Sequence, residues 1–144
     1  MTDYSTSMRT DRCGDLRVND VGRTVTLCGW VDRRREHGEH LAFVDLRDRS
    51  GVVQLVVDGA HDLRSEYVLQ VSGTVRERPA DTANDSLATG EVEVDAAQVT
   101  VLSVAEPPPF PLDERTEVDE VLRLRHRYVD LRRPRLQRNL EVRA

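Results

Sequence analysis

The sequence predicts an all-β fold, a small five-stranded Greek-key barrel followed by a helical segment. Three observations predict it. Five stretches alternate apolar and polar residues with the period of two that marks half-buried strands. A tight turn, Asp48-Arg49-Ser50-Gly51, joins the second stretch to the third. The series is then interrupted twice, by Asp58–Glu66 after the third stretch and by the long polar Pro79–Gly90 after the fourth.

Residues 1–12 read as a flexible N-terminus. Gly14 and Gly22 punctuate the next stretch, and Asp15–Val21 has room for one helical turn. The apolar face of strand one is Val25, Leu27, Gly29 and Val31. Strand two gives Ala42, Val44 and Leu46; strand three gives Val53, Leu55 and Val57; strand four gives Tyr67, Leu69, Val71, Gly73 and Val75. Strand five starts as Val92 and Val94, loses phase around Ala96-Ala97 and resumes at Val99 and Val101, which predicts a bulge or bend. The segment between strands three and four is long enough for a short helix or a loop. These connections fit the OB-fold, and a five-stranded SH3-like barrel fits the same pattern. The barrel domain spans residues 13–109. Pro107-Pro108-Pro109 and Pro111 stop the sheet, because proline cannot donate to a ladder. Residues 110–144 read as a helical linker. Glu117–Arg132 has a helical apolar spacing, Pro134 breaks it, and Leu136–Ala144 begins another such pattern, as a linker leading into an absent domain would.

Composition narrows the function. No apolar run approaches the roughly 20 residues that span a bilayer, and residues 1–12 lack the apolar stretch of a secretory signal, so the expected location is cytoplasmic. Two cysteines make neither a disulfide framework nor a four-cysteine zinc site, and the expectation is no metal. No phosphate-binding glycine loop, nucleophile elbow or other catalytic constellation is present. The net charge is −5, and all 21 basic residues are arginine. Residues 1–109 carry 12 Arg against 19 acids, whereas residues 110–144 carry 9 against 7. A phosphate-bearing partner would therefore be held by placed arginines rather than by the overall field.

The other face of the strands carries the functional signal. It holds Phe43 and Asp45 from strand two, Gln54 from strand three, Gln70, Ser72 and Arg76 from strand four with Arg78 in the same phase, and Glu93 from strand five. An outward aromatic is a stacking platform for an unpaired base. Gln54 can donate and accept toward a base edge, whereas the Glu93 carboxylate only accepts. Arg33-Arg34-Arg35 falls just after strand one, where OB-folds take a loop against nucleic acid. The same residues also fit an ordinary solvated face or a protein-interaction surface.

Thr26-Leu27-Cys28-Gly29-Trp30-Val31, Arg33-Arg34-Arg35, His37-Gly38 and Phe43-Val44-Asp45-Leu46-Arg47-Asp48-Arg49 closely resemble the N-terminal domain of bacterial-type aspartyl-tRNA synthetases, class II ligases. So do Gly51, Gln54, Val71–Arg76, Ala88–Val94, Leu122-Arg123 and Arg127–Pro134. The resemblance implies an OB-fold that holds the anticodon loop of tRNA(Asp). It implies that Phe43 stacks on the middle base, a uracil, that Arg35 and Gln54 contact anticodon bases, and that Glu93 helps read the first or a neighbouring base. Arg78 and Asn84 would support the same pocket. His37 is shared with members that charge both tRNA(Asp) and tRNA(Asn), whereas Asp81 stands where those members often have glycine. Glu39-His40 and Val56 also depart from the family pattern. The family's ATP- and aspartate-binding motifs are not among these 144 residues. The implied cofactors, ATP and Mg2+, thus belong to a catalytic domain outside this fragment, in an enzyme that is a homodimer. The alternatives are a stand-alone OB-fold protein for single-stranded nucleic acid and an interaction module that no longer reads tRNA.

Overall fold

The computed structural model describes residues 8–37, 40–58, 62–112 and 117–144, without the side chains of His37 and Ala80. Residues 1–7 of the expected flexible start, and the departure at Glu39, lie outside the described residues. Five strands form: β1 (Thr24–His37), β2 (Leu41–Asp48), β3 (Gly51–Asp58), β4 (Val68–Glu77) and β5 (Val92–Ser103). They close in the order β1-β2-β3-β5-β4, with β4 paired back to β1. The β3–β5 pair is parallel and the others are antiparallel. This is the OB-fold topology.

The faces follow the alternation. Leu27, Val31, Val44, Leu46, Val53, Leu55, Leu69, Val71, Val92 and Val94 are completely buried inside the barrel. In β5 the extra residue is Ala97, because Ser72 pairs with Gln98 and Gly73 with Ala96. The bulge moves the core-facing set from Val92 and Val94 to Val99. A 3-10 turn, Cys13–Asp15, packs Cys13 and Leu16 into the core. The Asp48 carboxylate accepts from the Cys13 N–H at 2.8 Å, and the Ser50 hydroxyl accepts from the Gly14 N–H at 2.8 Å. Only glycine fits at position 14, since a Cβ there would meet the Ser50 carbonyl oxygen at 2.2 Å.

Four details differ from the sequence expectations. The helical turn expected in Asp15–Val21 is replaced by two 3-10 turns, Cys13–Asp15 and Val18–Asp20. The Arg33-Arg34-Arg35 run is not in a loop: β1 continues through it and pairs with β2. The register shifts between Val31 and Arg33, so Asp32 is a bulge. The third concerns Pro134, which opens a helix at its first position, where a missing N–H costs nothing.

The described residues divide into two compact units, the first ending at Ala105 and the second starting at Glu106. The second holds α1 (Glu120–Arg125), α2 (Arg127–Asp130) and α3 (Pro134–Arg143). Here lies the fourth difference: the single helix expected over Glu117–Arg132 is interrupted at His126, whose backbone leaves the helical region at φ −115° and ψ 51°. Phe110, Leu112 and Val129 form its small core, with the Arg133 guanidinium 5.8 Å from the Phe110 ring centroid.

Two outcomes test this packing. At the β4–β5 crossing, a Cβ on Gly73 would meet the Asp95 carbonyl oxygen at 2.3 Å. Gly73→Ala is expected to cost about 1–3 kcal/mol of stability by urea unfolding. The second concerns Cys13, where burial first and the Asp48 carboxylate next push the thiol well above its ordinary value of 9.0. A thiol raised in the folded state adds stability below its unfolded pKa, and that share is lost as pH rises toward the folded value. Stability should fall with pH above about 9, and Cys13→Ala should make the decline shallower.

Candidate nucleic-acid interface

The bulge at Asp32 decides what β1 adds to the outer face. Before it, odd-numbered residues such as Val25 and Val31 point inward. After it, Arg33 pairs with Asp45 and Arg35 with Phe43, on the face opposite the core. Strand register continues the row across the sheet. Phe43 pairs with Val56, Asp45 with Gln54, Gln54 with Glu93 and Glu93 with Arg76. Four strands thereby bring Arg35, Phe43, Gln54 and Glu93 together, all four read from the sequence.

Their side chains form one hydrogen-bonded chain. Arg35 Nη2 donates to Asp45 Oδ1 at 3.2 Å and to Gln54 Oε1 at 2.9 Å. Gln54 Nε2 donates to Glu93 Oε1 at 3.1 Å, and Arg76 Nε donates to Glu93 Oε2 at 2.7 Å. Arg76 Nη1 also lies 3.5 Å from Asp95. Arginine can only donate and a carboxylate only accept, so the ions on either side fix the Gln54 amide with its oxygen toward Arg35. The chain is sheltered. Gln54 is 3% exposed, Glu93 4% and Asp45 9%, where period-two reading placed an open polar face. Arg76 and Arg35, each about half-exposed, form its ends. The Phe43 ring is partly open, with the Arg35 guanidinium 5.9 Å from its centroid.

Arg78 follows β4 and is 9% exposed. Its Nε donates to the Val92 carbonyl at 3.0 Å and its Nη1 to the Thr82 carbonyl at 3.3 Å, which ties the long loop to β5. Its Nη2 is buried with no hydrogen-bond partner. Burial pushes this guanidinium below its ordinary value, while the charges of Asp45 and Glu93 oppose that shift and Arg35 adds to it. Arg78 therefore feels the same carboxylates as the chain.

Two candidates stand apart. Asn84 is exposed, and its Oδ1 accepts from the Ser86 N–H at 3.0 Å and the Ser86 hydroxyl at 2.6 Å, within its own loop. Asp81 is exposed in the 3-10 turn Ala80–Thr82. The backbone of His37 ends β1 opposite Leu41, and its side chain lies outside the described residues. The period-two reading puts Asp45 and Arg76 on this face but gives neither them nor Asp95 a role. Their signal was register, since each stands beside a site residue only once the strands are paired. Among the described residues no group of three or more His, Cys, Asp or Glu could hold a metal ion, and no helix is long and apolar enough to cross a membrane.

The profile of the family described as OB-fold nucleic acid binding domain, in its tRNA anticodon form, matches residues 25–102. An aspartate–tRNA(Asp/Asn) ligase of Pseudarthrobacter chlorophenolicus is 56% identical over 140 residues, covering 95% of this chain and 23% of the relative. One from Heliobacterium modesticaldum is 51% identical, covering 99% of this chain and 25% of the relative. The structure of asparaginyl-tRNA synthetase from Pyrococcus horikoshii superposes with a TM-score of 0.72 at 25% identity, over 92% of this chain and 31% of that one. The chain thus spans about a quarter of the length of the curated relatives it matches. With its family profile aligned along the whole barrel, the chain belongs to the tRNA anticodon-binding OB-fold family.

Proposed function

We propose that the outer face of the barrel reads the anticodon loop of tRNA, as the N-terminal part of an aspartate–tRNA ligase. The observation that carries this reading is the partly open Phe43 ring beside a fixed donor–acceptor chain, Arg35–Gln54–Glu93. The ring is the platform for the middle base. Uracil presents two carbonyl acceptors around one imino donor. Gln54 keeps one N–H and one oxygen lone pair beyond its bonds within the chain, and Arg35 keeps Nε and Nη1. Those groups complement uracil, because the network leaves a donor and an acceptor side by side. The Glu93 carboxylate suits the imino and amino donors of guanine as a neighbouring base. Arg78 offers its unpartnered Nη2 beside them, and Asn84 joins from the loop when RNA is bound.

The activity of the whole protein is part of the proposal. It attaches aspartate to tRNA(Asp), and, like the relatives whose names include both tRNAs, to tRNA(Asn). The two anticodons share their first and middle bases, so stacking and reading at Phe43 and Gln54 serve both. ATP and Mg2+ supply aspartate activation, and the residues described here offer them no ligand cluster. Catalysis belongs, on this reading, to the portion of the relatives that this chain does not span, in a homodimer in the cytoplasm.

Phe43→Ala removes the platform and leaves the arginines. Binding of a stem-loop carrying the aspartate anticodon should weaken by about 1–3 kcal/mol, with the slope of log affinity against log salt unchanged. Fluorescence anisotropy across a salt series, beside thermal melts, measures both. Equal binding of the wild-type chain to unrelated unpaired RNA would instead favour a general single-strand binder.

A further inference from the structure

Asp45 is an acid where an RNA-binding face gains least from one. Its side chain is 13% exposed, it sits two residues along β2 from the stacking ring, and it stands across from Gln54 on β3. Its Oδ1 takes Nη2 of Arg35 at 3.2 Å, and the other contact of that nitrogen is Gln54 Oε1. Its charge also acts on Arg78, ahead of that of Glu93. One carboxylate thus bonds the Arg35 guanidinium from β1 and acts through its charge on that of Arg78, which follows β4.

Removing that charge would leave Arg35 held by Gln54 Oε1 alone, more easily drawn away to a phosphate, and would make the face more positive. Both changes favour RNA of any sequence. Keeping the charge has the opposite effects. Arg35 is held against Gln54, where it meets a base edge, and phosphates approaching without matching bases meet a carboxylate. Discrimination gains from such a repulsive element even when affinity does not. We infer that Asp45 is a specificity-determining positioning residue, which holds Arg35 in the base-reading row and excludes loops whose bases do not match. The inference rests on the anticodon-reading proposal above.

The test uses the 144-residue chain, its Asp45→Asn variant, and two stem-loops, one with the aspartate anticodon and one with its middle uracil replaced by cytosine. The wild-type chain should prefer the first loop by about tenfold or more, as a mismatched base typically does. In Asp45→Asn the preference should fall to about threefold or less, because the mismatched loop binds as tightly as before or tighter. Its salt slope should steepen by about one phosphate contact. A purely structural role would weaken both loops together and leave their ratio unchanged, and that result overturns the inference. If Asp45→Asn melts below the assay temperature, Asp45→Ser provides the same comparison. A wild-type chain that does not distinguish the loops overturns the anticodon reading and the inference with it. A wild-type chain that distinguishes them, with a variant that does so equally well, overturns the inference alone.

Discussion

A single inserted residue, Asp32, sets the composition of the barrel's outer face. Side chains in a strand alternate strictly, so a strand that feeds Val25 to Val31 into the core would carry Arg33 and Arg35 inward as well. The bulge reverses the phase between Val31 and Arg33. Arg35 then emerges beside Phe43 and reaches Gln54, and the rest of the polar row is built on that contact. The same inversion occurs at Ala97 in β5, beyond the row, where it keeps Val99 on the core side as the strand bends along β4.

The row is almost self-sufficient in hydrogen bonds and in charge. Arg35, Arg76 and Arg78 stand among Asp45, Glu93 and Asp95. Buried polar groups without partners are costly, and a complete network avoids that cost while holding each group in one orientation. Such a face does not attract RNA strongly from a distance, and the chain as a whole is acidic at −5. Affinity has to come from base stacking and from short contacts, which suits a module that recognises a few unpaired bases.

Much of this was legible in the sequence. Period two named the core-facing residues of β1 to β4 from Val25 to Val75, because the apolar residues of those strands alternate, but not Leu63, which enters the core from the connection between β3 and β4. The slip at Ala96-Ala97 located the β5 bulge for the same reason. The extension of β1 was not legible, since Arg33-Arg34-Arg35 has no apolar alternation and its pairing with β2 is decided across strands. Phe43, Gln54 and Glu93 could be assigned to one face, but not their shelter, which depends on Arg35 and Arg76 closing the ends of the row. Helical periodicity in the second unit overstated its packing. Val121, Leu124 and Tyr128 are 62%, 58% and 68% exposed, and only Val118, Leu122 and Val129 meet its core.

The insertion of β5 between β3 and β4, parallel to the first and antiparallel to the second, has a consequence for synthesis. A ribosome adds residues in order, and the barrel cannot close until β5, ending at Ser103, has emerged. From the end of β4 at Glu77 that wait covers 26 residues, 103 less 77. At translation speeds of about 5–20 residues per second it lasts on the order of one to five seconds. During it the β3 and β4 edges are unpaired and hydrophobic faces are bare, a state open to intermolecular strand pairing. The polar, irregular stretch before β5 prolongs that interval, so the timing of the nascent chain, as well as its final stability, bears on how much of it reaches the closed form.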